Sequence, residues 1–386
     1  MLNRATPSPH RQRQAHRWSA IALCVLAASA AHGRPPVIDV HVHTDPSRFA
    51  IALDILGANG VSRFVNLSGG PAGSAELARS LDAARDHEGR VKICANVDWS
   101  RLESPNFGEM QAQRLTEAAS AGAACLKISK ALGLFVADPT APGKLLAVDD
   151  PRLDPIWAAA GRLGLPVMWH TGDPKAFFAP ATPSNERWAE LKVHPTWSFA
   201  DPKYPRREAL LAARDRVLAR HRKTTFVGVH FANNSEDLDY VAQALTDHPN
   251  LYVDVAARLP EIGRHPPAKV KALFERFADR ILFGTDLGLG RGIMLGSTGT
   301  NRPTMPDIDL FYHDHYRWFE TATRQIPHPT PIQGDWRIDG VALPSAVLHK
   351  VYYLNAMKLF WKSGPSQAMD EAFIEAAPDY AELHSF

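Results

Sequence analysis

The sequence predicts an α/β protein, a (β/α)8 TIM-type barrel, on three observations. Eight short runs rich in β-branched and other apolar residues recur along the chain, at 37–43, 61–67, 91–98, 123–129, 165–170, 224–230, 250–255 and 280–285. Between them lie amphipathic stretches at 74–87, 108–121, 154–163, 206–220, 236–246 and 267–278, whose apolar residues return every three or four positions, the spacing of one helix face. Ionisable residues stand where several of the runs give way to a loop, the end at which such barrels carry their chemistry. A doubly wound open sheet is the runner-up, because it is built from the same alternating units.

The chain has 386 residues, 45% of them hydrophobic, as expected of a protein with a large core. Its start differs in kind. Arg4, Arg11, Arg13 and Arg17 come with no acid, an apolar run follows at 18–31, and small residues sit near Ala28, Ala30 and Gly33. A basic segment, a short apolar segment and a small-residue end predict a secretory leader over 1–33, cleaved around 30–33. The run is shorter than the roughly 20 residues that span a bilayer. The expected mature protein, 34–386, is one barrel domain with C-terminal helices, exported to the periplasm or secreted, with no membrane attachment. Without the four leader arginines the 43 basic residues fall to 39 against 41 acids, so the mature charge is near −2. No clustered basic face suggests nucleic acid as a partner; the expected partner is a small-molecule substrate, and a homo-oligomer is left open.

Taken in order, the first strand reads Val37-Ile38-Asp39-Val40-His41-Val42-His43. Residues two apart on a strand share a face, so His41 and His43 project together. Gly60, Gly89, Gly122 and Gly164 stand where helices should stop, as C-terminal caps do. Cys94 and Cys125 lie inside apolar strand-like runs, where a buried free thiol behaves as a small hydrophobe, so two unpaired thiols are expected. Two connections, 131–150 and 171–205, and the glycine-rich 287–306 are longer than plain turns, and read as substrate walls at the barrel mouth. Trp169 has the phase opposite to a mouth residue and should pack between barrel and helices, whereas Phe177, Phe178, Trp197 and Phe199 either wall a substrate or pack their loop down. The tail reads as helices at 312–324 and 344–361.

The polar strand ends are the chemical signal. The first strand ends in His41 and His43, the fourth holds Lys127, the fifth ends at His170, the sixth at His230, and the eighth is followed by Asp286. Four imidazoles and one carboxylate converging on a barrel mouth suit Zn²⁺, and also Mn²⁺ or Fe²⁺. His313 and His315 repeat the His-x-His pattern inside an expected helix, where i and i+2 do not share a face, so they are read as surface or loop structure.

The segments VIDVHVHTD, GAACLKISKALGL, PVMWHTGDP, TTFVGVHFANN, LYVDVAAR, DRILFGTDLG and LPSAVLHKVYYLNAMKLF, in that order, resemble the amidohydrolase superfamily, specifically its amidohydrolase-related branch. The resemblance implies a distorted (β/α)8 barrel with one or two divalent ions. It further implies that His41, His43, His170 and Asp286 are ligands, and that His230 is either a ligand or a catalytic residue beside the metal. In binuclear members a carbamylated lysine on the fourth strand bridges two metals, and Lys127 falls at the matching place; the branch points to a single ion.

Such a site activates water as a nucleophile. Asp286 would accept the proton and pass it to the leaving group, and His230 would steady the developing oxyanion. Arg258, just after the seventh strand, is placed either to grip a substrate carboxylate or to pair with Asp254; Lys130 is a second partner for substrate charge. The expected activity is metal-dependent hydrolysis of an amide, ester or lactone-like bond in a small, carboxylate-bearing substrate. Non-oxidative decarboxylation of an aromatic acid is the alternative, and an inactive metal-binding homologue the third.

Overall fold

A computed structural model describes residues 34–87, 89–300 and 302–362. The expected leader at 1–33 lies outside them. Eight strands alternate with helices: β1 (Val37–Thr44), α1 (Phe49–Ala58), β2 (Val61–Asn66), α2 (Ala75–Arg85), β3 (Val91–Asn96), α3 (Phe107–Ser120), β4 (Cys125–Ile128), α4 (Asp154–Leu163), β5 (Val167–Trp169), α5 (Arg207–Arg220), β6 (Phe226–Gly228), α6 (Leu238–Asp247), β7 (Leu251–Asp254), α7 (Pro267–Arg276) and β8 (Ile281–Leu282). Neighbours from β1 to β8 pair in parallel. Closure comes from backbone bonds past the end of β8, Val40 N to Phe283 O (3.0 Å) and Asp286 N to His41 O (2.9 Å). Gly284 makes this approach possible, since a Cβ there would meet the His41 Cβ at 3.0 Å. The fold is the expected (β/α)8 barrel.

Two hydrophobic layers hold it. Ile38, Val40, Val65, Cys94, Cys125, Met168, Val227 and Leu282 fill the barrel, and Tyr353, Ala356 and Met357 of the C-terminal segment join that cluster. The larger layer lies between strands and helices, where Trp169 stacks on Trp157 (ring centres 4.8 Å apart), as its strand phase predicts. The four expected glycine caps all have positive φ. Among the described residues no helix is long and apolar enough to cross a membrane.

Three details depart from the sequence reading. The pairing of β1 with β2 is irregular between Asp39 and Val42. Ile38 and Val40 belong to the inner cluster but Val42 to the outer one, so the irregularity shifts the phase and turns His41 and His43 inward above Ile38 and Val40. The glycine-rich 287–306 is not all loop: β9 (Leu287–Leu289) adds to β1, and β10 (Ile293–Leu295) folds back on β9, before helix α8 (Met305–Glu320). His313 and His315 lie in α8, and His315 is buried in the core with its Nδ1 donating to Phe311 O (2.7 Å), so its reading as surface or loop structure is corrected.

The expectation of two free thiols is also corrected. Cys94 and Cys125 face each other directly across the β3/β4 ladder, with Cα atoms 4.3 Å apart, and form a disulfide. Register, invisible in a single sequence, decides this. The bond closes a loop over a sequence separation of 31, so in the entropy account the double variant C94A/C125A should lose about 3.7 kcal/mol of stability in urea denaturation. Equal midpoints and slopes for variant and oxidised wild type would rule that out.

Candidate metal centre

His41 leaves β1 facing inward with one ring nitrogen committed. Nδ1 donates to Asp254 Oδ2 at the end of β7 (2.8 Å), which leaves the Nε2 lone pair facing Asp286 Oδ1 at 3.5 Å. His43 presents Nε2 to the same oxygen at 3.3 Å, while its Nδ1 meets Ser68 Oγ at 2.7 Å. One ring atom each of His41 and His230 and one oxygen of Asp286 lie within 4.8 Å of one another. His170 completes the group, its ring centre 4.4 Å from that of His230, although its Nε2 faces Asp173 Oδ1 at 3.3 Å.

His230 is not the last residue of a strand. β6 ends at Gly228, and His230, Phe231, Ala232 and Asn233 follow with φ between 53° and 56°, one left-handed turn without a glycine. Each such residue costs about 1–2 kcal/mol against a right-handed conformation, so surrounding contacts must hold it. The turn lets His230 N donate to Asp254 Oδ1 (2.7 Å) and His230 Nδ1 donate to Ala256 O (2.8 Å). With Nδ1–H committed to a carbonyl, Nε2 carries a lone pair. That tautomer suits a ligand rather than a donor to an oxyanion.

The electrostatics favour a cation. Burial lowers the pKa of His41, takes His170 down to about 4 and puts His230 well below the ordinary histidine value, so the rings are neutral and able to ligate. Burial opposes the charge on Asp286, yet the hydrogen bond with His43 and the charge of Lys127 hold its carboxyl down at about 2, and it too sits at positive φ. Lys127 is the residue most out of balance. It faces inward two positions beyond Cys125, and its buried Nζ has no hydrogen-bond partner among the described residues. Burial lowers its pKa from 10.5 to about 8 against the pull of Asp254 and Asp286. Three neutral imidazoles and a carboxylate form a donor set that fits a divalent ion.

A lowered lysine pKa has a definite sign. Between about 8 and 10.5 the unfolded chain binds the proton that the folded one releases, so stability rises with pH across that window, and below it the burial penalty is fully present. In metal-free protein, Lys127→Met should therefore stabilise at pH 7 by a few kcal/mol and flatten the slope above pH 8, as read from urea denaturation at several pH values. A destabilised variant would mean that Lys127 has a partner the geometry does not show.

The two predicted substrate residues differ. Arg258 is buried and its Nη1 donates to Ala257 O (2.7 Å), but among the described residues it makes no ion pair; Asp254, its alternative partner, is engaged by His41 and His230. Lys130 is taken within the chain. Its Nζ bonds Asp173 Oδ2 (2.6 Å) and lies 4.8 Å from the Trp197 ring centre. Phe177 and Phe199 are buried and Trp197 stacks on His194, so these aromatics pack their loop down. Asp254, Ser68 and Asp173 orient the imidazoles, a role the sequence reading gave to none of them; it named Asp254 only as a partner for Arg258.

No curated protein matches the chain in sequence. Among solved structures, 2,6-dihydroxybenzoate decarboxylase from Rhizobium is 12% identical, with 86% of this chain and 100% of that one covered at a TM-score of 0.51. A complex of 2,6-dihydroxybenzoate decarboxylase with 2,6-dihydroxybenzoate is 13% identical, covering 86% and 99%, at 0.50. The dihydroxybenzoic acid decarboxylase of Polaromonas sp. JS666, solved with manganese and 2-nitroresorcinol, is 12% identical, covering 86% and 98%, at 0.49. At these identities the likeness is one of fold. The amidohydrolase family model, by contrast, matches residues 38–361 in sequence, from β1 through the C-terminal helical segment, and on that match the chain belongs to the amidohydrolase family.

Proposed function

We propose that the protein is a divalent-metal-dependent hydrolase of a small, carboxylate-bearing substrate, cleaving an amide, ester or lactone-like bond. The observation that carries this reading is the ionised Asp286 carboxylate set against the Nε2 atoms of His41 and His43. His41, His43, His170 and Asp286 would hold the ion, Zn²⁺ with Mn²⁺ or Fe²⁺ as alternatives, and His230 would join them as a ligand through Nε2. When bound, the ion supplies Lewis acidity, which brings water toward ionisation near neutral pH and polarises a substrate oxygen. Asp286 accepts the proton of the attacking water and returns it to the leaving group. Arg258, without an acid of its own, pairs with the substrate carboxylate, and the hydrogen bonds of Asp254 fix the tautomer of His41. We retain a single ion: elemental analysis should give equal metal content in wild type and Lys127→Ala, whereas two ions falling to one would establish a bridging carbamylated lysine.

Decarboxylation of an aromatic acid is the second reading, favoured by the free charge of Arg258 and by the fold shared with 2,6-dihydroxybenzoate decarboxylase. One experiment separates the two. Purified metal-loaded protein is offered esters, amides, lactones and hydroxybenzoates in H₂¹⁸O; hydrolysis places one labelled oxygen in an organic product, whereas CO₂ release with no label in the phenolic product decides for decarboxylation. The Cys94–Cys125 disulfide supports an exported protein, periplasmic or secreted, which cell fractionation tests.

A further inference from the structure

The left-handed turn that carries His230 ends in carbonyls pointing away from the site, and two buried arginines of α5 take them. Arg214 Nη1 donates to Ala232 O (2.6 Å), and Arg207 Nη2 donates to Asn233 O (2.6 Å) and to Asn234 Oδ1 (2.9 Å). Arg207 also reaches the other histidine loop, its Nε donating to Asp173 O (2.9 Å), three residues after His170. Asn233 ties the same two loops from the opposite side: its Oδ1 accepts from Thr171 N (2.8 Å) and its Nδ2 donates to Gly172 O (3.3 Å). The guanidinium is buried and its acid partner, Glu236 at 3.0 Å, stands on the turn side, so the planar fork is held in one orientation.

We propose that Arg207 is a positioning residue of the metal centre: by joining the Asp173 and Asn233 carbonyls it fixes the spacing of His170 and His230. Arg214 seconds it by holding Ala232. This rests on the metal reading above. Four non-glycine residues in a left-handed turn relax to other conformations unless their carbonyls are held, and relaxation moves His230 away from His41 and His170. A guanidinium can bond both carbonyls at once because its donors diverge in a fixed plane, which an ammonium cannot reproduce.

The test is a calorimetric titration of metal-free protein with Mn²⁺ and with Zn²⁺, alongside thermal melts. Arg207→Met should weaken binding roughly 10- to 100-fold, the usual loss when an orienting group behind ligands is removed. Arg207→Lys, which keeps the charge and one bond, should fall between. Val217→Ala, a cavity in the buried face of the same helix, controls for stability: it should lower the melting temperature and leave affinity unchanged. Wild-type affinity in Arg207→Met, or an equal loss in Val217→Ala, overturns the inference; if Arg207→Met fails to fold, wild-type affinity in Arg207→Lys does the same. Wild-type protein that binds neither ion overturns the metal reading itself, and is distinguished by failing before any variant is compared.

Discussion

Asp286→Asn should lower kcat by about two orders of magnitude or more, the usual scale for losing a general base beside an electrostatic site. The amide keeps the size and one oxygen of the carboxylate, so the backbone bonds of residue 286 to His41 and Gly296 can persist and the fold should be retained. The negative charge is lost. His41 and His43 then face a neutral group at 3.5 and 3.3 Å, and no oxygen there can take a proton from water near neutral pH. Turnover and metal content should be measured on one preparation, because a residue proposed both as ligand and as base can fail in either role. Full turnover with metal bound would sink the assignment.

Asp254 should be nearly as critical, although it stands behind the proposed ligands rather than among them. Its Oδ2 accepts from His41 Nδ1 and its Oδ1 from the backbone N–H groups of His230 and Ala256, at 2.8, 2.7 and 3.2 Å, and it is completely buried. Asp254→Ala leaves three buried donors without acceptors, and we expect a loss of about 3–5 kcal/mol in urea denaturation. Asp254→Asn is the sharper variant. Its oxygen can still serve the two backbone donors, so stability should fall less, but its NH₂ then meets His41 Nδ1. The ring must take the other tautomer, protonated on Nε2, which cannot ligate. Metal affinity should drop roughly 10- to 100-fold while much of the stability survives; an Asp254→Asn protein that binds metal like wild type would contradict the orientation argument.

The barrel and the strand-end imidazoles were legible because both arise from local rules. Apolar runs alternating with helical faces give the units, and polar residues at strand ends mark the mouth. What escaped depends on contacts between distant segments. The inward turn of His41 and His43 relies on an irregularity in the pairing of β1 with β2, and simple alternation from Ile38 and Val40 would have aimed them outward. His230 fits a strand by composition, and contacts with distant segments, those of Asp254, Ala256, Arg207 and Arg214, account for its left-handed turn. The disulfide needed the β3/β4 register. The hairpin after β8 did leave a local signal, the Gly290-Arg291-Gly292 turn between apolar residues, which glycine content alone made look like loop.

The junction between the first and eighth strands bears on how the molecule comes together. Asp39 accepts from Thr285 N and Oγ1 across 246 positions of sequence, and His41 O accepts from Asp286 N beside it. His41 and Asp286 therefore meet only when the two ends of the barrel have found each other, a contact with a high loop-closure cost. An ion held between them would act as a clasp on that seam. Chelation should accordingly speed unfolding more than it slows folding, making resistance to slow inactivation, rather than refolding rate, the property the centre confers on the scaffold.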